Sequence, residues 1–488
     1  MMISPRKMGF PIFYLIFCFF FPSLTFAQQP NFVIIIGDDI SWNDYGCYGN
    51  TAIRTPEVDQ LASGGIAFTN TFLTASSCSP SRCSIMSGRY PHNTGAAELH
   101  TPLPEGMPTI AGELKKGGYY TAAAGKWHMG ENIKPDFDRI EGPGNSGGEG
   151  TWLPVLQERP KDKPFFMWLA SLDAHRIWHA DDWGEPHKPE NVIVPGYLAD
   201  TPETRQDLAS YYNEVSRMDF YVGEVKKELE KQGVLDNTII IVMADNGMPF
   251  PRSKTRVYDS GMKTPFVVFW PKGISPKGVK SNSLISVIDI APTFVELAGL
   301  KSPDSFQGKS FAEVLKKPDK EFRRFVFSEH NWHDYESHER MVRSKDFLYV
   351  LNSRPQFPNG GPADSKSSPA QHALNDLRDK GLLSPAQADV FITPRPFEEL
   401  FDVNRDPNQF NNIASLEEYQ EVLKDYRFIL NEWRVLTKDN TPGELTKDGF
   451  DRETGRLLEN VPKFNEVPRG EMPGVKSGGL ESNAKPGF

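Results

Sequence analysis

The sequence predicts an α/β protein: a large domain with a mostly parallel central sheet flanked by helices, then a smaller C-terminal α+β domain with an antiparallel sheet. Three observations predict it. First, apolar runs such as "NFVIIIG", "KPFFMWLA" and "NTIIIVMA" show no alternation, as expected of strands covered on both faces. Second, glycine-stopped helical stretches lie between these runs, which is the βα alternation of a parallel sheet. Third, the runs end in polar clusters, and sites in open α/β sheets lie outside the carboxyl ends of strands. The chain has 488 residues, 38% of them hydrophobic, enough for a large core and more than one domain.

In chain order, Arg6 and Lys7 precede the apolar run "FPIFYLIFCFFFPSLTFAQQ". A basic start, a short apolar core and the small residue Ala27 read as a secretory signal over residues 1–27. The competing membrane-anchor reading suffers from Pro11, Pro22 and a run short of the roughly 20 residues a span needs. The large domain is expected over 28–325. "NFVIIIGDDI" is its first strand, and "TPEVDQLASGGIAF" is a helix, a glycine stop and a strand. "MPTIAGELKKGGYYTAAAGKWHMG" repeats that pattern, stopping at Gly117-Gly118. "DLASYYNEVSRMDFYVGEVKKELEKQGVL" is a long amphipathic helix stopped by Gly233, and "TPFVVFWP" is a fifth buried strand. From 326 to 438 the strands shorten and a helix follows, giving the smaller domain. A Gly-, Pro- and charge-rich tail covers 439–488.

The net charge of −10 argues against nucleic acid or an anionic membrane as partner. After the signal, no stretch is apolar enough to cross a bilayer. An anionic substrate would need a local cluster of cations. Of four cysteines, Cys18 leaves with the signal. Cys47, Cys78 and Cys83 remain, an odd number, and whether Cys47 and Cys83 pair is left open. There is no Asn-x-Ser/Thr sequon, which agrees with bacterial export to the periplasm or beyond.

Asp38-Asp39, Lys126-Trp127-His128, His175 and Asp245-Asn246 all fall at strand ends. Asp38, Asp39, Asp245 and Asn246 offer only oxygen ligands, a set that suits Ca²⁺ or Mg²⁺ better than zinc. Arg82, Lys126 and Lys254 are candidates for holding a tetrahedral anion, with His128 and His175 as proton carriers. Lys254 lies on a loop, and its sequence context alone leaves it open. "CSPSRC" puts two cysteines five residues apart around a proline and an arginine, for which a disulfide, a metal pair and a chemically modified cysteine are the alternatives.

The stretch "CSPSRCSIMSGR" resembles the signature of the type I sulfatases, Cys-x-Pro-x-Arg followed six residues later by Gly-Arg. "GDDISWNDYGCYGN", "GKWHMG", "ADNG" and "SKTRVYDSGMKTPFVVFWP" resemble further segments of that family. The resemblance implies an alkaline-phosphatase-like fold. It implies that a maturation enzyme converts Cys78 to formylglycine (3-oxoalanine), and that one Ca²⁺ is held by Asp38, Asp39, Cys78, Asp245 and Asn246. It carries catalytic roles onto Cys78, Arg82, Lys126, His128, His175 and Lys254. The family's Pro-His is Ala174-His175 here, a departure. "DAHR", "TPETRQDLASYY" and "DNGMPFP" are closest to the heparan N-sulfatase (sulfamidase)-like branch.

The reaction implied is hydrolysis of sulfate esters of a sulfated polysaccharide or its oligosaccharides, marine algal or glycosaminoglycan. Removal of N-sulfate from glucosamine is the alternative. A phosphatase or phosphonate hydrolase of the same fold is a further one, disfavoured by the oxygen-only ligands and Cys-x-Pro-x-Arg. A non-catalytic sugar-binding protein would show a broken catalytic set. His100, Arg176, His330, His333, His338 and Arg340 are the expected readers of the sugar.

Overall fold

The computed structural model describes residues 1–2, 29–459, 479–480 and 482–486. The expected signal's apolar run and residues 460–478 of the expected tail lie outside these. Among the described residues no helix is long and apolar enough to cross a membrane.

Ten strands belong to the larger part of the molecule. They are β1 (Asn31–Gly37), β2 (Ile66–Phe68), β3 (Thr71–Phe72), β4 (Tyr120–Gly125), β5 (Arg139–Glu141), β6 (Phe165–Ala170), β7 (Thr238–Ala244), β8 (Phe266–Phe269), β9 (Val279–Ser281) and β10 (Ile285–Ser286). Eight of them form one sheet in the order β5-β4-β6-β1-β7-β8-β2-β9, and β10 pairs with β3 alone. From β5 to β7 every pairing is parallel, whereas β8 runs antiparallel to both neighbours. Phe32, Ile34 and Ile36 face one apolar layer, and Val33 and Ile35 face the other. Burial on both faces is why these strands read as unbroken apolar runs. The helix Pro202–Lys231, capped by the Thr201 hydroxyl accepting from the Thr204 N–H, covers the second face.

The register sets the site. Ile36 pairs with Ala170, Gly125 with Ala170, and Gly37 with Ala244. The last residues of β4, β6, β1 and β7, four adjacent strands, are therefore level to within one residue. The residues that follow them emerge side by side at one edge.

Strands β11 (Val326–Trp332), β12 (Glu336–Arg343), β13 (Phe347–Asn352) and β14 (Glu398–Asp402) form a second, fully antiparallel sheet. Its alternation is strict. Val326, Met341, Leu348, Val350 and Phe401 join the main core, while Phe327, Val342, Tyr349 and Leu400 meet the helix Gln420–Thr437. Trp433 of that helix stacks on Phe327 with ring centroids 5.1 Å apart. The smaller sheet thus shares a continuous core with the larger part. No disulfide occurs among the described residues; Cys47 and Cys83 are both free.

Candidate active site

Cys78 is the first residue of the helix Cys78–Ser87, every residue of which is buried. Pro80 sits in the first turn, where an N–H would have no intrahelical acceptor; the first such bond runs from the Ser81 N–H to the Ser77 carbonyl. Arg82, one turn on from Cys78, lies on the same face. Gly88 closes the helix with φ 62°, and a Cβ there would meet that of Ala291 at 2.8 Å. Each residue type of the motif therefore has a local reason.

Around Cys78 the four level strand ends converge. Its Sγ lies 3.7 Å from Asp38 Oδ1 and 3.8 Å from Asp39 Oδ1. Arg82 Nε donates to Asp245 Oδ2 at 2.8 Å, and its Nη2 is 3.8 Å from Asp38 Oδ1. Lys126 Nζ contacts Asp38 Oδ2, and Lys254 Nζ donates to Asp39 Oδ2 at 2.7 Å. Asp38, Asp39, Asp245 and Arg82 are wholly buried. Three carboxylates thus face three cations across one small volume. Burial raises the Cys78 thiol pKa strongly, against the pull of Lys126 and Lys254. Burial, then Lys126, drives His128 well below the ordinary histidine value.

The donor set fits a hard cation. Asp38, Asp39 and Cys78 bring ligand atoms within 4.8 Å of one another. Asn246 Oδ1 is buried with no hydrogen-bond donor, an acceptor that a cation would satisfy. The carboxylate and amide oxygens of Asp38, Asp39, Asp245 and Asn246 suit Ca²⁺.

Above this floor lies a cleft of about 450 Å³, lined by Cys78, Lys126, His128 and His175 and, from other segments, His100, His333, Asp334 and Asp364. His128 Nε2 and His100 Nδ1 are 2.7 Å apart. His175 Nε2 lies 3.9 Å from Asp39 Oδ2 and 3.7 Å from Asp364 Oδ2. Arg217 clamps Asp173 at 2.8 and 2.7 Å, and the Asp38 N–H donates to the Asp173 carbonyl at 2.7 Å. The loop carrying His175 is thereby tied to the Asp38 turn.

Among the six expected sugar readers, His100 and His333 line the cleft. Arg176 borders an adjoining pocket of about 220 Å³, but its guanidinium is bidentate to Asp207, 2.7 Å on each arm. His330 is buried, and burial with Arg256 pushes it down to about 3. His338 and Arg340 do not line the cleft. Both are buried; strand alternation puts Arg340 on the same face of β12 as Val342, under the helix Gln420–Thr437, where it pairs with Asp439 at 2.9 and 2.7 Å and its Nη2 lies 3.2 Å from His338 Nε2. Asp334 and Asp364 were missed, since Asp334 sits in the turn between two antiparallel strands, Asp364 in a four-residue helix, and neither belongs to a motif.

The eight-stranded sheet with its polar edge and the antiparallel second sheet form an alkaline-phosphatase-like fold. The sulfatase family profile matches residues 30–142 and 151–300, and the chain belongs to that family; it is a sulfuric ester hydrolase. It is similar to an ulvan-active sulfatase of Formosa agariphila, 29% identical over 86% of this chain and 76% of that one. It is likewise similar to the human N-sulphoglucosamine sulphohydrolase, 29% identical over 87% of this chain and 93% of that one. A structure solved in complex with its substrate D-glucosamine-2-N,6-O-disulfate superposes with a TM-score of 0.66 at 21% identity, covering 84% of this chain and 98% of that one.

Proposed function

We propose that this enzyme removes O-sulfate from a sulfated polysaccharide or its oligosaccharides. Cys78 would be carried as formylglycine beside one Ca²⁺. The observation that carries the reading is Cys78 at the floor of the cleft, against Asp38 and Asp39 and below His128 and His175. The ulvan-active relative supports a polysaccharide substrate. The human relative, matched over 93% of its length, supports the second reading, removal of N-sulfate from glucosamine.

The roles follow from position. Formylglycine, as its hydrate, supplies a hydroxyl nucleophile and a second hydroxyl through which sulfate is later expelled. Asp38, Asp39, Asp245, Asn246 and residue 78 would hold Ca²⁺, which supplies positive charge for the sulfate oxygens. Arg82, Lys126 and Lys254 offset charge on the transferring group. His128 takes the proton when sulfate is expelled. His175 and Lys254 protonate the leaving oxygen. Cys78 is 2% exposed, so its conversion by a maturation enzyme has to precede closure of the core around it. On the N-terminal apolar run we place the enzyme in the periplasm or outside the cell.

Sulfate release from a panel of defined O- and N-sulfated oligosaccharides tests the reading. O-sulfated glycans should be cleaved, Cys78→Ala should abolish release, and a carbonyl-reactive hydrazide should label only the parent protein. Full activity in Cys78→Ala would overturn it. Preference for N-sulfated glucosamine would establish the second reading.

A further inference from the structure

The cleft carries both signs of charge. Lys126 lines it together with two carboxylates, Asp334 and Asp364. A carboxylate facing a pocket that must accept a sulfate is repulsive at close range, so its presence needs a cause. Asp364 Oδ2 accepts from Lys254 Nζ at 3.0 Å and lies 3.7 Å from His175 Nε2; its side chain keeps 22% exposure.

Two plainer roles are already filled. Lys254 has a carboxylate partner without Asp364, because Asp39 Oδ2 accepts from it at 2.7 Å. A second cation held by Asp39, His175 and Asp364 is excluded sterically and by charge, since Lys254 Nζ itself sits between the two carboxylates. Asp364 retains acceptor capacity. Among the described residues Oδ1 takes only the Ser365 N–H, at 2.6 Å, and each carboxylate oxygen has two lone pairs. It also stands beside His175 and Lys254, the groups placed at the leaving oxygen. What Asp364 touches is therefore the part of the substrate next to the scissile bond. Burial alone would raise its pKa, but Lys254, then His175 and His333, override that and keep it ionised.

We propose that Asp364 determines specificity. It accepts hydrogen bonds from donors of the sugar ring, hydroxyl or ammonium, adjacent to the sulfated position, and it repels rings that carry a carboxylate there. The inference rests on the sulfated-sugar reading above and narrows it to neutral or amino sugars at the scissile residue. A site built to hydrogen-bond a donor rejects the analogue lacking it strongly, because its own acceptor is left unpaired.

The test compares the matured full-length enzyme with Asp364→Asn, and with Asp364→Ser should the first not accumulate. The substrates are 4-nitrophenyl sulfate and four matched monosulfated glycosides: a hexoside, an aminohexoside, a deoxyhexoside lacking the adjacent donor, and a hexuronoside. The readout is the ratio of kcat/KM on each glycoside to that on the aryl sulfate, which does not depend on the folded fraction. We expect the hexoside or aminohexoside ratio to fall roughly tenfold or more in Asp364→Asn. The deoxyhexoside ratio should hold, and the penalty on the hexuronoside should shrink. The larger of the first two losses identifies hydroxyl or ammonium as the donor. Parallel losses on aryl and glycoside sulfates would assign Asp364 to holding Lys254 alone and overturn the proposal, as would no change in any ratio. A parent enzyme that cleaves aryl sulfate but none of the glycosides overturns the sugar reading beneath it, a separate result.

Discussion

Replacing Arg340 with methionine should damage stability and leave sugar recognition alone. The guanidinium is wholly buried, donates to both Asp439 oxygens, and lies 3.9 Å from Glu329. Removing one partner of such a pair leaves the other charge buried, a loss of about 3–5 kcal/mol. Arg434 Nε still reaches Asp439 at 2.9 Å and His92 Nδ1 still meets Glu329, so the lower end applies. Unfolding entropy of about 2.1 cal/mol/K per residue gives roughly 1 kcal/mol per kelvin for 488 residues. The melting temperature should then fall by about 3 °C. Burial alone would raise the Asp439 carboxyl, but Arg340 overrides it and holds it far below the usual range. A depressed carboxyl contributes stability above its unfolded value near 3.9 and loses it as pH falls further. The variant should therefore show a flatter acid limb in thermal unfolding from pH 6 to pH 3. An unchanged melting temperature together with a tenfold rise in KM for a sulfated sugar would refute the burial argument and return Arg340 to the substrate.

Three further outcomes are expected. Chelation followed by desalting should abolish sulfate release and lower the melting temperature, with Ca²⁺ restoring both; restoration by Zn²⁺ but not by Ca²⁺ would reverse the metal assignment. Deleting residues 479–488 removes the Leu480 and Ser482 carbonyls and Asn483 Oδ1, all acceptors for the buried Arg89 guanidinium at 2.7–2.9 Å. The truncated protein should melt several degrees lower by scanning calorimetry, since bonds to a charged group each contribute about 1.5–3 kcal/mol; equal melting curves would rule out this strap. Burial would raise Asp389, but Arg256, Arg252 and Arg395 hold it down to about 2. Its contribution of about 2 kcal/mol, present above pH 4, should vanish toward pH 2. Asp389→Asn should lack that component in acid titrations of stability; a parent-like profile would exclude it.

How much of this was legible in the sequence depends on the distance over which each feature is encoded. Strands buried on both faces announce themselves locally, and so do the polar residues at their ends. Asp38, Asp39, Lys126, His128, His175, Asp245 and Asn246 were readable for that reason. Apolar periodicity carries no direction, so the reversal of β8 was invisible to it. Lys254, on a loop, was found by resemblance rather than by pattern. In β12 the histidine and arginine looked like substrate readers because an exposed edge and a helix-covered face use the same alternation. Only the helix nearly a hundred residues further on decides which face is dry. Asp364 is the extreme case, a carboxylate in the four-residue helix Ala363–Lys366 that meets Lys254 across 110 residues of chain. Much of the polar floor is thus written at strand ends, joined by Cys78 and Arg82 from one helix and Lys254 from a loop. Asp334 and Asp364, which line the cleft, lie on segments whose placement depends on contacts far away in the chain. Substrate choice can therefore change by loop substitution while the parallel strands and the reacting groups stay fixed.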